Sequence, residues 1–365
     1  MPKKILEITG SLNCAGIETL LVNVLKKIDR SKFNIDFLVV ADKKYFYTDD
    51  VLKCGSKIYT YPFKKVYKIL IPFFFLKEIF VLLKNRYDVV HCHFYFSSGI
   101  ILFLAWLCGV KTRIVHSHNA REMFAPKPLK KIFTKIMQKI IDAFATEKVA
   151  CSRKAGLALY GENSKFRIVN NGIDTNKFQY NIEIRNKKRE EFSIKNNFVV
   201  GHIGRFDEQK NHTFLIDIFY EITKYKENAR LLLIGEGPLL EDKIKEKVKN
   251  LKIEEKVNFL GVRNDVNEIY QAMDVFLFPS KYEGLGIVAI EAQCSGLPCF
   301  ISDCIPKEVI VCNTTTISLN KSANEWANII LEKTKDFKRA DTLEQIINSG
   351  YDFDNTINSF AKLYE

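Results

Sequence analysis

The chain has 365 residues, 47% apolar and 27% charged, which is too much core material for a disordered polypeptide and too interrupted for a polytopic membrane protein. Its length exceeds what one hydrophobic core usually serves, so two domains are expected. The net charge of +12 is uneven: residues 1–170 carry 29 Lys+Arg against 13 Asp+Glu, and residues 171–365 carry 26 against 30, so the basic character belongs to the first half.

The opening MPKKILEITG leads straight into a strand-like run and has no signal-peptide pattern. Apolar strands and helical patterns then alternate in chain order. KILEIT is followed by the helix IETLLVNVLKKI, then come FNIDFLVV, YDVVHCHF with the helix GIILFLAWLCGV, TRIVHSH with the helix PLKKIFTKIMQKIIDAF, and KVACS. Strands apolar on both faces and separated by helices predict a parallel sheet covered by helices. A second series begins at FVVGHIGRF, with a helix over about 211–225. It continues through ARLLLIG with a helix near 241–250, KVNFLG, DVFLFPS with a helix from about Gly286, and LPCFISD. Between the two series, RIVNNGIDTNKFQYNIEIRNKKREEF is polar and aperiodic, which marks the interdomain crossing. Two doubly wound α/β domains follow, over 1–175 and 176–351, with a last helix in YDFDNTINSFAKLYE that returns to the first domain over 352–365.

Nine cysteines, an odd number with no CxxC pair, point to reduced thiols in a cytosolic protein. The twelve-residue apolar run at 99–110 fits a buried helix rather than a membrane span. Two further helical stretches, 64–86 and 126–141, are apolar and edged with lysine. In the second, Lys127, Lys131, Lys135 and Lys139 recur every fourth residue and form one basic stripe. That stripe suits docking on an anionic membrane surface, against the plainer reading of a core helix with a solvated lysine face. No nucleic-acid-binding motif accompanies it, and nucleic acid is not expected as a partner.

Ligands of open parallel sheets bind beyond the carboxyl ends of the strands, so the polar clusters there carry the functional argument. In KYEGLGIVAIEAQCSGLP, Glu283 and Glu291 stand eight residues apart around a glycine-bounded turn. A helix would separate their α-carbons by roughly 12 Å, wider than the roughly 5–9.5 Å between the working carboxylates of a glycosidase. A cation cage would need more oxygens nearby. Two grips on one extended ligand remain, beside the plainer reading of a capping Glu283 and a solvated Glu291. The turn Gly284–Leu285–Gly286 offers backbone N–H groups at a helix start. Arg205 and Lys210 follow a strand and precede a helix, so they either converge on a phosphate or are ordinary surface cations. HCH at 91–93 and HSH at 116–118 have a spacing that zinc could use, but a buried strand end is the favoured reading, and no GxGxxG supports a nicotinamide cofactor.

Taken together, these motifs resemble the retaining glycosyltransferases of family 4, which have the GT-B fold of two Rossmann-like domains facing across a cleft. The match rests on EGLGIVAIE with the AQCSGLP that follows, on GRFDEQKNH, on RIVNNGID and on AGIETLLVNVL, and covers nearly the whole chain. The resemblance implies that Glu291 holds the ribose of a nucleotide sugar and Glu283 the transferred sugar. Arg205 and Lys210, in the loop opened by Gly204, would hold the diphosphate with the N–H groups near Leu285, Gly286 and Ile287. It also implies His118 beside the reacting sugar, with His116 as its rival, and Gly16 in the first loop, where Ala15 replaces the usual first glycine. No metal and no cofactor are expected. The implied donor is a UDP-sugar in preference to a GDP-sugar. The implied acceptor is a lipid-linked glycan of capsule or exopolysaccharide synthesis, at the cytoplasmic face of the membrane. A sugar-nucleotide epimerase and a non-catalytic glycan- or membrane-binding protein are the alternatives.

Overall fold

The structure is a computed structural model, which describes residues 1–13, 16–39, 44–60, 83–84, 87–119 and 128–365, with backbone alone at 128–131 and 238–239. The chain divides into two compact units, Met1–Gly172 with Asp354–Glu365, and Ile173–Phe353.

The first unit contains β1 (Lys3–Thr9), β2 (Phe33–Val39), β3 (Ile58–Thr60), β4 (Val89–Cys92), β5 (Thr112–Ser117), β6 (Glu147–Ala150) and β7 (Arg167–Ile168). These form one sheet in the order β3-β2-β1-β4-β5-β6-β7, with every pairing parallel. Ile5, Leu6, Ile8, Phe37, Val89 and Val90 are fully enclosed, as strands covered on both faces require. The helix Ser98–Leu107 packs on one side against Leu6, Ile8 and Val90 through Ile101 and Ala105. The helix Pro128–Phe144 has the bounds its sequence period predicts and enters a second cluster through Met137 and Ile141.

The second unit contains β8 (Phe198–Ile203), β9 (Ala229–Ile234), β10 (Val257–Phe259), β11 (Val275–Phe278), β12 (Cys299–Ser302) and β13 (Thr314–Ile317). Their order is β10-β9-β8-β11-β12-β13, again all parallel. Within the unit this is the 3-2-1-4-5-6 order of the doubly wound nucleotide-binding fold, whose strand order reverses between β8 and β11. The loops that leave β8 and β11 therefore flank the switch point. Met273, in the turn that leads into β11, packs so closely on β8 that a Cβ on Gly201 would meet its Sδ at 2.0 Å.

One expectation needs correction. IEIRNKKREE is not an aperiodic crossing but the helix Ile182–Glu191 of the second unit. It docks by charge: Lys188 pairs with Asp265, Glu268 and Glu191, while Arg185 and Arg189 pair with Asp274. The predicted Lys127–Lys139 stripe is described only in part, because Lys127 and the Lys131 side chain lie outside the described residues, as does nearly all of 64–86. No helix among the described residues is long and apolar enough to cross a membrane.

Candidate functional site

At the switch point of the second unit, the loop after β8 carries Gly204, Arg205, Gln209 and Lys210, and the loop after β11 carries Glu283. Hydrogen bonds stitch these loops together. Lys281 N–H donates to the Gln209 carbonyl at 2.8 Å, and the Asn211 side chain donates to the Pro279 carbonyl at 3.1 Å. Glu283 is 5% exposed. Its Oε1 lies 2.8 Å from Lys210 Nζ, and its Oε2 accepts from Gln209 Nε2 at 3.0 Å. The Lys210 ammonium also sits 4.8 Å from the centre of the Phe278 ring, a favourable place for a cation.

The glycines here answer to contacts. The Lys210 stem crosses Gly204 so closely that a Cβ there would lie 3.1 Å from Lys210 Cδ and Cε. Gly235 has φ +136, and its Cβ would meet the Gly204 carbonyl oxygen at 2.1 Å, so the GEG run at 235–237 serves as a close-packed wall behind the loop. Gly286 begins the helix Ile287–Cys294 at φ +97, in the left-handed region that favours glycine. Leu285, Gly286 and Ile287 thus lie where the first N–H groups of that helix have no intrahelical acceptor.

Glu291 lies in the same helix. Tyr270 holds its hydroxyl 2.9 Å from Glu291 Oε2, with the Val288 carbonyl at 2.9 Å as the competing acceptor. Burial pushes the Glu291 carboxyl up to about 7, and the Tyr270 hydroxyl draws it partly back. The reading of Glu291 as a solvated surface carboxylate is therefore overturned. So is the reading of Glu283 as a simple helix cap, because its carboxylate is committed to Lys210 and Gln209. The two carboxylates share no partner among the described residues. Arg205 does not join them: its side chain is 72% exposed and pairs with Asp207 at 3.3 Å. Of the two cations expected to converge, only Lys210 faces Glu283 in this structure. Beneath the loop, His212 stacks on Phe206 at 4.3 Å, and both its ring nitrogens are buried with no hydrogen-bond partner among the described residues.

The first unit holds its own cluster where β1, β4 and β5 end. Glu7, His91 and His116 are buried. Parallel register sets Glu7 beside His91, and alternation sends His93 to the same face, as it does for His116 and His118. Glu7 Oε2 lies 2.8 Å from His93 Nε2, and Oε1 lies 3.2 Å from His91 Nδ1 and accepts from the Tyr364 hydroxyl. His93 Nδ1 is 2.8 Å from His118 Nε2, and His91 Nε2 is 3.2 Å from His116 Nδ1. Burial pushes Glu7 up, but the neighbouring His91 and His93 outweigh it and hold the carboxyl well below the usual range. Burial and the adjacent His91 push His93 down to about 4, against the pull of Glu7. They also hold His116 and His118 well below the ordinary imidazole value.

His91, His93 and His116 place ring nitrogens within 4.8 Å of one another, a spacing a metal ion could use. Both nitrogens of His91 and of His93 are already in hydrogen bonds, however, and a cation would have to displace Glu7 or a neighbouring ring. Gly16 opens the helix Gly16–Lys27, and a Cβ there would meet nothing within 4 Å, while Ala15 lies outside the described residues.

Sequence reasoning missed Glu7, Gln209, Tyr270 and Tyr364. Only Glu7 carried a signal, a charge within the otherwise apolar strand ILEIT.

Two doubly wound parallel units, each with charged groups clustered at strand carboxyl ends, define a protein of the GT-B class. Residues 15–177 match the family described as Glycosyltransferase Family 4, and residues 197–336 match Glycosyl transferases group 1. The chain is 30% identical over 373 residues to EpsF of Bacillus subtilis (strain 168), covering 99% of this chain and 96% of that protein. It is also 30% identical over 238 residues to the UDP-Gal:alpha-D-GlcNAc-diphosphoundecaprenol alpha-1,3-galactosyltransferase of Escherichia coli, covering 61% of this chain and 59% of that one. Among solved structures, Anabaena HepE in complex with UDP and glucose superposes with a TM-score of 0.81 at 19% identity, over 99% of this chain and 98% of that chain. The chain belongs to the family 4 glycosyltransferases.

Proposed function

We propose that this glycosyltransferase is a retaining, metal-independent enzyme of surface polysaccharide synthesis that moves a hexose or N-acetylhexosamine from a UDP-sugar to a lipid-linked glycan. The observation that carries the donor reading is the buried Lys210–Glu283 pair at the switch point of the second sheet. Lys210 neutralises the leaving diphosphate, and exposed Arg205 swings onto it from Asp207, so the developing charge is met by two cations and the N–H groups at Leu285, Gly286 and Ile287. Glu283, released from Lys210, accepts hydroxyls of the transferred sugar. Glu291 accepts ribose hydroxyls, and His118 lies beside the reacting sugar. The departing phosphate oxygen takes the acceptor's proton, and transfer occurs on the same face of the sugar.

The choice of UDP is supported by HepE, whose structures hold UDP and UDP-glucose. A lipid-linked acceptor is supported by the name of the Escherichia coli relative. Binding at the cytoplasmic membrane face is supported by the helix Pro128–Phe144. Ile132, Phe133 and Ile136 are 57%, 43% and 48% exposed there, beside exposed Lys135 and Lys139. Apolar side chains flanked by lysines suit an anionic lipid surface.

The test is a panel of UDP- and GDP-sugars, scored by thermal stabilisation and by hydrolysis, with the anomer of the product read by NMR. Stabilisation by UDP-sugars that Glu291→Ala abolishes is expected. Equal stabilisation of parent and variant would remove the donor assignment, and a product of inverted configuration would remove the retaining one.

A further inference from the structure

The Glu7 cluster has a directional logic that its distances impose. A carboxylate only accepts hydrogen bonds. Glu7 Oε2 lies 2.8 Å from His93 Nε2, so that nitrogen must carry a hydrogen. A neutral imidazole has only one, and His93 Nδ1 is then a bare lone pair. It lies 2.8 Å from His118 Nε2, and two lone pairs would not approach so closely. His118 therefore donates from Nε2, and its own Nδ1 is bare. That atom is buried and has no partner among the described residues. Buried polar atoms are rarely left so, and an exception calls for an explanation.

We propose that Glu7 and His93 are positioning residues that fix His118 as the Nε2–H tautomer, so that its Nδ1 lone pair accepts a hydrogen bond from a sugar hydroxyl. The inference rests on the reading that places His118 beside the reacting sugar, and it selects His118 over His116. His116 Nε2 is likewise buried without a partner among the described residues, but His116 is fully enclosed, whereas His118 is half-buried. Tyr364, from the helix Phe353–Tyr364, donates to the other Glu7 oxygen and holds the carboxylate in place. The low proton affinities of His93 and His118 agree with two neutral rings. The arrangement resembles in logic a carboxylate that orients a catalytic imidazole through its far nitrogen, with one additional ring in between.

The test is long-range proton–nitrogen NMR of the full chain labelled at its six histidines, without substrate. The expected spectrum shows His118 protonated at Nε2 and unprotonated at Nδ1. In Glu7→Gln, whose amide also donates, His93 and then His118 should shift toward the opposite tautomer. With UDP-glucose as probe, hydrolytic kcat should fall at least tenfold while KM stays within twofold, and Glu7→Asp should restore part of the loss. A parent His118 protonated at Nδ1, or a tautomer unchanged in Glu7→Gln, overturns the relay. The parent spectrum needs no variant, so a Glu7→Gln chain that fails to fold leaves that reading decisive. It is also independent of the donor assignment, which is judged separately by nucleotide binding in Glu291→Ala.

Discussion

The Tyr270 hydroxyl stands 2.9 Å from Glu291 Oε2, joining the helix Val266–Ala272 to the helix Ile287–Cys294. Burial sets when Glu291 is charged, and this bond partly offsets it. The folded chain raises Glu291 from about 4.5 to about 7. Its protonated form therefore favours folding, fully below about pH 4.5, and that contribution is lost as the pH rises through about 7. Glu291→Gln should match the parent near pH 5 and exceed it at pH 8, by on the order of 2 kcal/mol once partial exposure is discounted. Urea midpoints at the two pH values measure the difference; an equal gap at both would refute it.

Donor binding should follow the same titration in the opposite sense. Ribose hydroxyls need an ionised acceptor, so UDP affinity should rise from pH 6 to pH 8. Tyr270→Phe removes the bond that favours the charged form, and it should move the inflection of the calorimetric binding curve to higher pH. An inflection unmoved in the variant would sever Tyr270 from Glu291.

Removing the ammonium from the Lys210–Glu283 pair leaves a carboxylate that is 5% exposed, with Gln209 as its one remaining side-chain donor among the described residues. Lys210→Met should cost about 3 kcal/mol, because a buried charge is stranded. The double variant Lys210→Met with Glu283→Gln should recover much of that stability and none of the transferase activity. Denaturation and activity measured on the same three proteins separate the structural and chemical losses.

Gly235→Ala should destabilise the second unit and abolish UDP binding, although residue 235 carries no side chain to touch a ligand. Its Cβ would meet the Gly204 oxygen at 2.1 Å, which is backbone and cannot swing aside. Gly261→Ala is the control: it shares a positive φ of +64 but has open space around the added atom, so it should bear only the modest conformational penalty of about 1 kcal/mol. Similar loss of binding in both variants would count against the wall.

On the first unit, changing Ile132, Phe133 and Ile136 together to Ser should leave stability within roughly 0.5 kcal/mol per site, as expected of exposed positions, while abolishing sedimentation with anionic vesicles. Lys135→Glu and Lys139→Glu should weaken binding chiefly at low salt, since juxtamembrane lysines act through a screened surface potential. Vesicle binding indifferent to all five changes would remove the membrane assignment.

The central strands of both sheets are legible in the sequence because a parallel strand covered on both faces is apolar throughout. The edges are less so. Arg167–Ile168 and Thr314–Ile317 are short and polar, and Ile182–Glu191 seats itself through Lys188 and Arg189 instead of an apolar stripe. The site divides in the same way. Lys210, Glu283 and Glu291 announce themselves by local spacing around turns and helix starts, whereas Gln209, Tyr270 and Tyr364 become partners only through folding. Tyr364 meets Glu7 across 357 positions, and no local pattern encodes such a contact.

That contact also orders events in time. Glu7 precedes Ile173–Phe353 in the chain, yet the helix that supplies the Tyr364 hydroxyl follows it. Lys3 likewise reaches the Tyr364 carbonyl, at 3.0 Å. Domains generally fold as units while they are synthesised, the amino-terminal one first, but here the earlier unit waits for its final element until the later one has been translated. Its histidine cluster therefore closes only after Ile173–Phe353 has been made.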